Sequence, residues 1–219
     1  LDCKDKNILL SLHLKASMMK VSDPIIFGHI LKVFFKNFIK KNSKLLKDLN
    51  INFNSGLSNF FDKIKSCPKD IKNKLIDEII AEFENGPKIA MVDSEKNISN
   101  FHIPSDFIID ASMPAMIKSS GKMWDNNGKL VDTKALIPDS SYSSIFQATI
   151  DFCKKNGAFN PATMGTVQNV GLMAKKAEEY GSHDKTFEIK DNGKVCVETK
   201  DSKILFSHKV DKGDIWRMC

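Results

Sequence analysis

An α/β layer fold, in which a mixed sheet is flanked by helices and a hairpin or meander closes the carboxyl end, is the architecture this chain predicts. Three observations carry it. Short apolar or alternating runs at residues 7–15, 88–92 and 108–110 have strand spacing, and longer segments between them repeat their apolar residues at helical spacing. Start and stop signals bracket those segments, Ser22-Asp23-Pro24 at one and Asn85-Gly86-Pro87 at another. Residues 186–206 alternate around Asn192-Gly193 and Asp201-Ser202, as a hairpin or three-stranded meander does.

In order, residues 7–15 open with Ile8-Leu9-Leu10 and then set Leu12 and Leu14 against Ser11 and His13, a strand pattern. After a loop, Ser22 and Asp23 offer cap oxygens and Pro24 suits a first turn. The helix that follows should reach about Lys41, with Ile26, Phe27, Ile30, Leu31, Phe34, Phe35 and Phe38 inward and Lys32, Lys36 and Lys40 in water. Residues 57–64 and 68–83 read as two more helices, and 88–92 as a strand. Residues 108–110 read as a strand ending on Asp110, with Pro114 in the first turn of the helix behind it. Asn126-Asn127-Gly128 marks a tight turn. Residues 142–155, capped by Ser140 or Ser141 and stopped at Asn156-Gly157, and residues 170–180, stopped at Gly181, read as helices.

Composition narrows the function classes. The 219 residues suffice for one large domain or two small ones, and 84–104 is a weakly marked sub-boundary. Apolar runs are broken by charge too often to span a bilayer, and no membrane partner is expected. Residues 1–4 do not open a signal peptide. The chain starts without Met and ends on Trp216-Arg217-Met218-Cys219, so an internal piece of a longer chain is expected. The 5 cysteines show no CxxC spacing, which argues against zinc and disulfides and for a reducing cytoplasm. The net charge of +6 rests on lysines spread over helix faces with few aromatics between them, so no nucleic-acid partner is expected. Arg217 is the only arginine. Since bidentate clamping of carboxylates is an arginine task, most of any polyanion clamp must lie elsewhere.

Candidate chemistry gathers in three segments. One runs from Leu12 to Pro24 and carries Lys15 at a strand end. A second surrounds Asp110, which either delivers a carboxylate to a crevice at a strand's carboxyl end or, like Ser112, merely caps the next helix. The third runs from Lys176 to Lys185 and carries Tyr180 at a helix end. There is no GxGxxG, GxxxxGK[ST] or GxSxG, and the five histidines lack metal-ligand spacing.

These segments resemble the monomeric NADP-dependent isocitrate dehydrogenases of bacteria. The matching text is SLHLKASMMKVSDPIIFGH (11–29), IDASMPAMIKSSGKMW (109–124), IPDSSY (137–142), NGAF (156–159), NVGLMAKKAEEYGSHDKTF (169–187) and GDIWRMC (213–219). Residues 36–88 are the least family-like. The resemblance implies an internal segment of that enzyme's large domain. It implies that Lys15 and Tyr180 are catalytic, that Asp110 is one ligand of a magnesium or manganese ion, and that isocitrate, 2-oxoglutarate and NADP are the small-molecule partners. It leaves the NADP contacts and the isocitrate clamp outside this segment, so the remainder of the parent chain is a partner too. The competing expectation is a non-catalytic α/β scaffold or interaction module.

Overall fold

The computed structural model describes residues 2–160, 162 and 186–216. Helix α1 spans Asp2–Asp5 and strand β1 Leu9–Leu12. Helices α2 (Ser22–Phe34), α3 (Lys36–Lys41), α4 (Ser43–Asp48), α5 (Gly56–Lys63) and α6 (Lys69–Asn85) follow. Then come β2 (Met91–Asp93), β3 (Ile98–Ser99), α7 (Ile109–Lys118), β4 (Lys122–Trp124), β5 (Leu130–Leu136) and α8 (Ser140–Asn156). The carboxyl part adds β6 (Phe187–Glu188), β7 (Gly193–Glu198), β8 (Ile204–Val210) and β9 (Ile215–Trp216). The helix expected over 170–180 lies outside the described residues.

β1 is the axis of a mixed sheet. It runs parallel to β5, with Leu9 opposite Thr133 and Leu12 opposite Leu136, and β4 pairs antiparallel on β5's far side. On its other side the chain forms two parallel bridges, Leu10–Ile89 on β1 and Leu14–Ile108 two residues past its end. Because strand side chains alternate, β1 faces two cores. Leu12 and Leu14 enter a large one with Phe27, Leu31, Phe35, Phe60 and Phe101, and Leu9 enters a smaller one with Ile109, Met113, Met116 and Met123. Phenylalanines dominate the larger core. Phe34 meets Phe35 and Phe101 edge to face at 4.8 and 5.0 Å, and Phe38 meets Phe60 at 5.6 Å, geometries the ring quadrupole favours. Ile89 and Phe101 belong to this same core, so residues 84–104 are packed on both sides of the weakly marked boundary.

Several elements differ from expectation for local reasons. The long helix after Asp23 breaks at Phe35 (φ −95°, ψ 26°) into α2 and α3. Residues 108–110 make only a single bridge before helix begins at Ile109, so Pro114 sits in the second turn of α7 rather than the first. Proline there has no N–H to donate to the Asp110 carbonyl. α8 is capped by Asp139, which accepts from Ser141 N at 3.0 Å, not by either serine. The turn after β4 is as expected: Gly128 takes φ +70° and Asp125 Oδ1 accepts from Asn127 N and Lys129 N.

The carboxyl tail is a hairpin, not a three-stranded meander. β7 pairs with β8 across Asp201-Ser202, while β6 pairs with β9 at its base. One face of this two-stranded ribbon carries Val195, Val197 and Phe206, by alternation and cross-strand register, and a register shift after Val197 sets Ile204 opposite Glu198. Val197, Ile204 and Phe206 are 37%, 56% and 49% exposed.

Candidate active site at the carboxyl end of the central strand

The odd-numbered side chains of the first strand share one face, Leu9, Ser11, His13 and Lys15, and all point at α7. Leu9 packs on the methionines of α7. Two residues on, Ser11 Oγ lies 2.7 Å from His13 Nε2, and His13 Nδ1 lies 2.7 Å from Ser112 Oγ on α7. Two residues further, the Lys15 ammonium is paired with the Asp110 carboxylate. Strand and helix are also joined through their backbones: Leu14 N donates to Phe107 O at 3.2 Å and Ile109 N donates to Leu14 O at 2.8 Å.

The two ends of the ion pair have different surroundings. The Lys15 side chain is 10% exposed and the Asp110 side chain 54%. Burial pushes the Lys15 ammonium below its ordinary value, because the low-dielectric interior disfavours the charged form. Asp110 lies in the first turn of α7, where the helix dipole favours an anion, and opens to solvent. The loop between Lys15 and α2 is pinned by Asp23, fully buried, whose Oδ2 accepts from Lys15 N at 2.7 Å. Asp23 therefore holds the lysine's backbone; α2 is preceded by Val21, which makes no side-chain cap. Two cavities, of ≈ 620 and ≈ 580 Å³, open elsewhere, and neither is lined by Lys15 or Asp110.

Two of the three sequence-derived candidates are thus adjacent, Lys15 and Asp110. Tyr180, the third, lies outside the described residues. Asp110 is not an N-cap, since Ile108 holds that position and makes no side-chain cap, and Ser112 spends its hydroxyl on His13. The oxygen chemistry of Asp110 suits magnesium or manganese, which commonly use one or two protein carboxylates plus substrate and water. No group of three or more His, Cys, Asp or Glu that could hold a metal occurs among the described residues. The Asp110 carboxylate is chemically fit to be one ligand of such an ion.

Sequence reasoning missed His13 and Ser11. Alternation against Leu12 and Leu14 marked a strand and gave these two no role, yet both are 0% exposed because α7 covers their face. The signal available was a histidine flanked at two-residue spacing by Ser11 and Lys15, polar groups on a strand otherwise made of leucine.

A buried lysine paired with a partly open carboxylate thus lies at the carboxyl end of a parallel strand, the end at which open α/β sheets bind ligands. All 219 residues match the family model described as "Monomeric isocitrate dehydrogenase", and the chain belongs to that family. It is 52% identical over 219 residues to isocitrate dehydrogenase [NADP] 2 of Psychrobacter sp. (strain 13A), covering 100% of this chain and 30% of that protein. It is 52% identical over 218 residues to isocitrate dehydrogenase [NADP] of Azotobacter vinelandii, covering 100% of this chain and 29% of the relative. Isocitrate dehydrogenase [NADP] 2 of Mycobacterium tuberculosis (strain ATCC 25618 / H37Rv) is likewise 52% identical over 219 residues, 29% of its length. The chain therefore spans less than a third of these relatives. Among the described residues no helix is long and apolar enough to cross a membrane.

Proposed function

We propose that this chain is an internal segment of the large domain of a cytoplasmic NADP-dependent isocitrate dehydrogenase, and that it contributes Lys15, Asp110 and Tyr180 to oxidative decarboxylation of isocitrate to 2-oxoglutarate. The observation that carries the reading is the contact between the Lys15 ammonium and the Asp110 carboxylate at the end of β1. When bound, a divalent cation would supply Lewis-acid stabilisation of oxygen charge on the hydroxy acid, and NADP would accept the hydride.

The remaining steps belong to side chains. Asp110 would hold the ion through the carboxylate that now faces the Lys15 ammonium. Lys15, whose ammonium burial holds below its ordinary value, takes part in removing the substrate hydroxyl proton; the lowering favours the neutral amine that a base must be. Tyr180 returns a proton to the carbon freed by decarboxylation, a task for a phenol that stays protonated at neutral pH. The isocitrate clamp comes from the remainder of the parent chain, as the single arginine of this segment requires.

Asp110→Asn and Lys15→Met in the full-length parent separate these roles. Asp110→Asn should weaken manganese binding, read by electron paramagnetic resonance of free Mn²⁺. Lys15→Met should remove turnover while manganese still binds. An Asp110→Asn enzyme with undiminished affinity for manganese, or a Lys15→Met enzyme with undiminished turnover, would refute the corresponding assignment.

A further inference from the structure

We propose that His13 and Ser112 form a buried latch between strand and helix that sets the relative placement of Lys15 and Asp110, and that they are positioning residues for the reaction. The inference rests on the roles given above to Lys15 and Asp110. His13 stands two residues before Lys15 and Ser112 two residues after Asp110, so the bond between them ties together the two backbone segments that carry the pair.

The latch is built for rigidity. His13 is 0% exposed and Ser112 9%, so no bulk water competes for their hydrogen bond. The imidazole is engaged at both nitrogens, by Ser11 and by Ser112, each at 2.7 Å. A neutral ring offers one donor and one acceptor, and a serine hydroxyl can play either part, so both bonds are made whichever tautomer is present. The Phe107 ring, 5.4 Å away, closes the side of the imidazole. The ring cannot swing without breaking two buried hydrogen bonds. A rotation of α7 about its own axis, which would move Asp110 from Lys15, must break the Ser112 bond. Outer partners of this kind commonly control metal affinity or activity by about 10–100-fold.

The test uses the full-length parent with Ser112→Ala, Ser112→Thr and His13→Gln. Three readouts are taken per folded molecule: kcat at saturating metal and isocitrate, Mn²⁺ affinity by electron paramagnetic resonance, and backbone hydrogen exchange at residues 12–15 and 108–113 in metal-free enzyme. We expect Ser112→Ala and His13→Gln to lower kcat or Mn²⁺ affinity by about 10–100-fold, with faster exchange in both segments, and Ser112→Thr to restore all three. A purely structural role would lower the melting temperature and leave kcat and Mn²⁺ affinity unchanged. If Ser112→Ala does not fold, Ser112→Cys, a weaker hydrogen-bonding group, is read the same way. Folded variants with parental kcat and Mn²⁺ affinity overturn the latch. If Asp110→Asn and Lys15→Met are damaged in the same assays while these variants are not, only the latch fails. If Asp110→Asn and Lys15→Met are themselves normal, the underlying assignment fails instead.

Discussion

Acidification from pH 7 to pH 5 should destabilise the unit of the parent that contains β1 by about 2 kcal/mol through one side chain, His13. The ring exposes none of its surface, and burial holds its pKa at about 4 against an ordinary 6.5. A folded value below the unfolded one means the native state prefers the neutral ring. Its contribution is fully present above pH 6.5, is lost as pH falls toward 4, and changes no further below 4, where both states are protonated. The difference of 6.5 minus about 4 corresponds to about 3 kcal/mol at roughly 1.4 kcal/mol per unit. At pH 5 the unfolded imidazole is almost wholly charged and the folded one almost wholly neutral, so about 2 kcal/mol of that is already gone. The assay compares urea midpoints of full-length parent and His13→Gln at both pH values, with exchange of the Leu9–Leu12 amides reporting the local unit. Glutamine does not titrate, so the variant should start less stable and lose about 2 kcal/mol less on acidification. Equal losses in the two proteins would refute the reasoning, as would an imidazole resonance of His13 titrating near 6.5 in the folded state.

Other perturbations have outcomes set by the packing. Phe60→Ala empties a fully buried site against Phe38 and should lower stability by about 3–5 kcal/mol in chemical denaturation. Gly56→Ala places a methyl 2.1 Å from the His102 carbonyl oxygen at φ +80°, and a loss of about 1–3 kcal/mol or more is expected in the same assay. Tyr180→Phe in the full-length enzyme should cut turnover and leave Mn²⁺ binding nearly intact; normal decarboxylating turnover would remove the phenol from the mechanism. Residues 1–219 expressed alone should produce no NADPH from isocitrate, and measurable turnover would place the substrate clamp inside them.

Much of the fold was legible because local signals and packing agree. α5 and α6 lie within a few residues of expectation, since their apolar spacing, Pro68 and the Asn85-Gly86 stop all favour the same ends. Disagreement arose where tertiary contacts decide. The stretch Phe107-Ile108-Ile109 has strand composition, but it makes only one bridge, Ile108 to Leu14 just past β1, and α7 starts at once. The short helices α3 and α4 carried no clear stop signals and were blurred or unread. The pairing of β6 with β9 joins residues about thirty apart, a register that alternation alone does not specify. At the site, Lys15 and Asp110 were legible through long family-like motifs, whereas their contact needs α7 to cross the face of β1. The polar layer of Ser11, His13 and Ser112 was hidden because alternation reads as one wet face, while this strand is covered on both.

The β7–β8 ribbon has a practical corollary. Among the described residues, two strands with Ile204 and Phe206 turned to water lack the second layer that independent hairpins need. A cut made just outside them leaves a greasy flag on an otherwise lysine-studded body, and such flags find one another. Truncated forms of this region should cluster in solution at concentrations where longer forms stay dispersed, and paired replacement of Ile204 and Phe206 by threonine is the economical way to keep them apart.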